Sequence, residues 1–225
     1  MNSLVTLRSR SISLAVFIVF LWVSAGVSQP VDYTQMSKRD LQDKIASFEL
    51  GFDSYIVGKK LTDEQIAVSK KDNAYKAYPG TYKFKDGDVF VIADVQSKVV
   101  IAVYKRNKKA DKNDFKMMIS ELMMQYGEPT AEAHGKTIYW NYGEDGLISE
   151  ELYRAVKSKG QLETLTILAT VKFSSSENVS TMTDMIDNMM EKQKKGEETA
   201  KEDSLTSDNY VMIQSDILSK KYMKK

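Results

Sequence analysis

The sequence predicts an α+β fold: two tandem units, each a helix plus a three-stranded meander, joined into one antiparallel sheet with helices packed on one face. Three observations predict it. First, Phe115, Met118, Ile119, Leu122, Met123 and Tyr126 recur at the spacing of one apolar helix face. Gly127 and Pro129 stop that helix, and the aromatic, β-branched run Thr137 to Tyr142 then closes on the turn Gly143 to Gly146. Second, Tyr82 to Gly87 repeats the motif of an aromatic strand entering an Asp-Gly turn. Third, each strand is preceded by a helix that ends near a glycine, Gly51 or Gly127, and is followed by two more strands.

Taken in order, residues 1–25 read as a signal peptide. Arg8 and Arg10 precede an apolar run from Ile12 to Val23, and small residues follow at Val23 to Ala25 and Gly26 to Ser28. The run is shorter than the roughly 20 residues of a spanning helix. Cleavage and export to a periplasmic or secreted location are expected, with an uncleaved N-terminal anchor as the alternative.

The first unit is expected over residues 26–107. Leu41, Ile45 and Phe48 mark a helix ending at Gly51, while Phe52 to Gly58 is ambiguous. Thr62 and Gln65 form a capping box for a short helix to about Lys70. Strands are expected at Thr81 to Lys85, Asp88 to Val95 and Val99 to Tyr104, followed by a basic polar connection from Lys105 to Lys112.

The second unit, residues 108–175, holds the Phe115 helix, capped by Asp111 or Asn113, then a polar loop. Strands are expected at Lys136 to Tyr142, at Leu147 to Val156, and from Leu165 to Phe173, where the alternation of Ile167, Ala169 and Val171 has period two. Residues 176–225 read as a helical, charged tail. It carries a methionine face (Met182, Met185, Met189), a charged run from Glu191 to Asp203, and a weak apolar period from Tyr210 to Tyr222.

Composition narrows the chemistry. The chain of 225 residues has no cysteine, which removes disulfides, thiolate nucleophiles and zinc–thiolate sites. Loss of the signal takes 32 Lys+Arg to 30 against 31 Asp+Glu, so nucleic acid is not an expected partner. His134, the single histidine, lies in a glycine-adjacent loop and is read as a surface residue. Phosphate-loop, nucleophile-elbow and zincin motifs do not occur. No catalytic residue, cofactor or metal ligand is expected. The candidate binding residues are Trp140, Tyr142 and Tyr139, with Met182, Met185 and Met189. Trp140 and Tyr142 share one face of their strand, and two readings stand for them: anchors of the core, or an aromatic hot spot for a partner.

Tyr126-Gly-Glu-Pro-Thr130 followed by Trp140-Asn-Tyr142 resembles the G-x-P and W-x-Y signature of small bacterial envelope domains. These are the outer-membrane-assembly lipoprotein E type and the β-lactamase-inhibitor-protein type. The resemblance implies helices on a three-stranded meander, sometimes in tandem, that bind other proteins. The chain departs from the lipoprotein pattern in having no lipobox cysteine, which puts the outer-membrane tether of that type in doubt here. The function expected is an exported, non-enzymatic binding or assembly module for a protein or envelope component. The alternative is a small-ligand binder or hydrolase-like enzyme with a pocket between sheet and helices.

Overall fold

The computed structural model of the chain describes residues 36–71, 78–176 and 207–222. The expected signal segment and the Met182, Met185 and Met189 face lie outside the described residues. The chain divides into Met1–Val31 and Asp32–Lys225, and the architecture below is that of the second unit.

Local chemistry sets the helix ends. Ser37 caps α1 (Lys38–Ala46) by accepting from the Asp40 amide, and Leu41 and Ile45 turn its apolar face into the core. Helix α2 (Asp63–Lys71) begins with the expected reciprocal box. The Thr62 amide donates to Gln65 Oε1 at 2.9 Å, and the Gln65 amide donates to Thr62 Oγ1 at 3.3 Å. In α3 (Lys112–Tyr126) the cap is Asp111, boxed with Asp114. The helix stops where Gly127 takes a φ of +80°, a left-handed value that glycine adopts without a Cβ clash. Phe115, Leu122 and Tyr126 of the expected face are buried and Met118 and Ile119 partly so, whereas Met123 is exposed.

Gly51 stops no helix. It opens a two-residue hairpin, β1 (Gly51–Phe52) with β2 (Tyr55–Ile56), where a Cβ would lie 2.1 Å from the Tyr55 carbonyl oxygen.

The main sheet is antiparallel throughout. β3 (Thr81–Asp86), β4 (Val89–Asp94) and β5 (Val100–Ala110) neighbour one another in chain order. β6 (Ala131–Ala133), β7 (Thr137–Gly143) and β9 (Ala169–Ser175) form the other flank, and the short β8 (Gly146–Leu147) pairs with the end of β7. Between the flanks runs β10 (Ser207–Gln214), giving the order β3-β4-β5-β10-β9-β7-β6. Both flanks run inward towards β10, with β5 and β9 pointing the same way and α1 and α3 packed into one core. The flanks are therefore related as reflections, and no rotation superposes one set with its helix on the other. The likeness of the two halves lies in the order of their signals.

Several expectations are corrected. Leu147 to Val156 is mostly helix, not strand: α4 (Glu150–Ser158) is capped by Ser149, with Glu150 and Glu151 in its first turn and Lys157 in its last. The basic connection after Tyr104 is a continuation of β5 to Ala110, held by pairing of Arg106 with Tyr210 and Asn107 with Asn209. The polar loop after Pro129 contains β6. The hairpin of β3 and β4 turns through Gly87 and Asp88, one residue later than the Asp86-Gly87 reading, with Gly87 at a φ of +57°. The C-terminal region supplies the central strand and then α5 (Asp216–Tyr222), because Asn209, Val211 and Ile213 alternate inward against Tyr210, Met212 and Gln214.

Cross-strand register places Phe84, Val91, Val103, Ile213, Val171 and Trp140 in one row beneath the helices, all fully enclosed. The resemblance motif is a latch in this core. The Trp140 indole donates to the Gly127 carbonyl at 2.8 Å. Thr130 Oγ1 donates to the Ile148 carbonyl at 2.6 Å and accepts from the Asn141 amide at 2.9 Å. The glycine stop and the tryptophan are thus one joint between α3 and β7.

Candidate functional site

The opposite face of the same strands carries different chemistry. Period two places Lys85, Phe90, Tyr104, Met212, Lys172 and Tyr139 in a single row across β3, β4, β5, β10, β9 and β7. Each is half-buried, where the row beneath the helices is enclosed. Phe90 and Tyr104 stack with centroids 4.6 Å apart and rings 5° from parallel. Lys83 Nζ stands 5.2 Å and 5.0 Å over those two rings. Lys172 Nζ bridges Tyr139 at 5.9 Å and Tyr210 at 5.8 Å. Cations over ring faces are attracted by the ring quadrupole, so the band is a grid of ordered aromatic platforms edged with positive charge.

Beside the middle of the band, between β5, β9 and β10, lies a cavity of about 490 Å³, within the range of small-ligand sites. Tyr104, Met212, Tyr210 and Arg106 make a checkerboard there, since Tyr104 pairs Met212 and Arg106 pairs Tyr210. Arg106 Nη2 meets Asp208 Oδ2 at 2.6 Å, and the Lys109 amide donates to Asp208 Oδ1 at 3.2 Å. These bonds, the arginine's foremost, hold the Asp208 carboxyl below its ordinary range. Ser176 Oγ accepts from the Asp208 amide at 2.9 Å, and Lys136 Nζ donates to the Ser176 carbonyl at 3.0 Å. Asn209, a lining residue whose side chain turns inward and is fully buried, accepts from Ser207 Oγ through Oδ1, while its Nδ2 meets no acceptor among the described residues.

No family model matches the chain, and no curated protein or solved structure is detectably similar to it.

The residues singled out from sequence are divided by the fold. Trp140 faces the core with none of its surface exposed, so it offers no contact area to a partner. Tyr142 is on the same helix-covered face, its ring 5.5 Å from Phe48, and burial raises its phenol pKa. Tyr139 alone of the three joins the half-buried band on the other face, opposite the described helices. His134 is exposed at a φ of +55° in the turn between β6 and β7. Among the described residues, no group of three or more His, Cys, Asp or Glu is placed to hold a metal ion.

Sequence reasoning passed over Phe90, Tyr104, Arg106, Lys172, Asp208, Tyr210 and Met212. A signal for β10 was present in the alternation Tyr-Val-Met-Ile. Nothing local indicated which strands it would join.

Proposed function

We propose that the chain is an exported, non-enzymatic binding or assembly module that engages a protein or envelope component with the open face of its sheet. One observation carries the reading: the continuous row of half-buried side chains Phe90, Tyr104, Met212, Lys172 and Tyr139, aromatic and cationic but for the methionine, on the face opposite the helices. A face made only to be solvated has no need of stacked rings, and mixed aromatic–cation surfaces are enriched at recognition sites. The resemblance of Gly127 to Pro129 and Trp140 to Tyr142 to envelope binding domains supports the same reading. Trp140 contributes as the anchor of the scaffold and Tyr139 as part of the surface.

The test is site-specific photocrosslinking in the native cells. A photoreactive residue at Met212 or Tyr139 is expected to capture a discrete envelope component, while one at Leu152, exposed on α4, is not. Equal capture at all three positions, or none at Met212 and Tyr139, would remove the open face as a docking site for a protein partner.

A further inference from the structure

Resting on the open-face reading, we propose that the cavity bounded by Tyr104, Tyr210, Met212 and Arg106 is a subsite for an acidic sugar residue within an anionic glycan.

Charge sets the sign of the ligand. Arg106 lines the cavity, and Lys136 and Lys172 reach its rim through Ser176 and the Tyr210 ring. Lys108 lies close enough to act on the Asp208 carboxyl. Among the described lining residues Arg106 is the one cation and Asp208 the one carboxylate, the latter already held by Arg106 and the Lys109 amide, so the three lysines around the cavity leave its surroundings positive. Asp208 fixes one edge of the guanidinium, which leaves the other donors of its planar fork for an incoming carboxylate.

Shape sets the class. An acidic peptide gains most by adding a strand at a sheet edge, and the edges here are β3 and β6, far across the sheet from the cavity. The cavity instead opens on a sheet face, where main-chain groups are already paired and side chains alone meet the ligand. Tyr104 and Tyr210 are diagonal neighbours on adjacent strands and present rings, against which the C–H face of a pyranose packs. The hydroxyls of both tyrosines and of Ser176 suit sugar hydroxyls, which both donate and accept. Beyond the cavity the row continues through Lys172 to Tyr139, so a linear glycan finds a third ring past β9, with a lysine between.

The experiment is calorimetric titration of the full chain with short oligogalacturonates. Maltohexaose, poly-L-glutamate and single-stranded oligothymidylate serve as comparison probes. Oligogalacturonate is expected to bind, and more weakly as salt is raised. Tyr210→Ala should weaken binding about tenfold and Tyr210→Phe much less, as loss of a ring contact predicts. Circular dichroism checks that each variant is folded. If Tyr210→Ala does not fold, Lys172→Gln takes its place, with an expected loss of about threefold from removal of one rim charge.

No binding of oligogalacturonate overturns the proposal. So does equal binding of maltohexaose, of polyglutamate or of oligothymidylate, and so does affinity indifferent to Tyr210 and Lys172. Should oligogalacturonate fail while the Met212 crosslink to a protein persists, the open-face reading stands and the glycan subsite falls. Should the crosslink fail while the titration succeeds with the expected variant losses, the protein-partner reading falls and the subsite stands.

Discussion

The two faces of the sheet are made of the same strands and the same hydrogen bonds, and they differ in everything else. Trp140 and Tyr139 are adjacent in the chain, yet one is sealed under α3 and the other lies in the open row beside Lys172. The same alternation separates Val171 from Lys172, Ile213 from Met212, Val103 from Tyr104 and Val91 from Phe90. Because successive side chains of a strand point to opposite sides, covering one face with helices assigns every second residue to stability and leaves the others for contact. Stability and recognition should therefore respond to different substitutions in the same strands.

The largest test is Trp140→Ala. Loss of an enclosed indole and of its bond to Gly127 should lower unfolding free energy by about 3–5 kcal/mol in urea denaturation. A loss below about 1 kcal/mol would dissolve the distinction between the faces. Thr130→Val comes next. It removes the donor to Ile148 and the acceptor for Asn141 inside the latch, and should cost about 1–3 kcal/mol by the same measurement.

A third test is alkaline. Burial, then the bond to Asp86, pushes the Tyr55 phenol well above its ordinary value. Its proton is held more tightly in the folded chain, so the stability it confers is complete below about pH 10 and is lost as pH rises beyond that. Tyr55→Phe should lower stability at neutral pH and flatten the decline above about pH 10, read from urea midpoints against pH. An unchanged alkaline slope would show that other tyrosines, such as the buried Tyr126, govern it.

The smallest expected effect is on the open face. Met212→Gln should change stability by no more than about 0.5 kcal/mol while abolishing recognition through the band. Destabilisation comparable to that of Thr130→Val would mean that the row is covered in the folded protein and belongs to a second core.

What was legible in the sequence is what neighbouring residues decide between themselves. The Asp111 cap, the stop at Gly127, the Thr62 and Gln65 box and the aromatic strand of Trp140 are all set within a few residues by hydrogen bonds to local amides or by backbone sterics. Even α4, read as strand, carried its own code in Ser149, Glu150 and Glu151. The position of β10 could not be read in this way. Its residues alternate as any half-buried strand does, and only pairing with β5 and β9, from distant parts of the chain, puts it at the centre. That pairing also keeps Arg106 to Ala110 extended, where the local sequence reads as a basic connection. It brings Tyr210 and Asp208 against Tyr104 and Arg106 to make the cavity. The caps, the glycine stop and the aromatic strand follow from the local chain, because their energies lie within a few residues. The tertiary structure decided which face is open and which residues meet there, because the alternation of a strand is the same whichever side the helices cover.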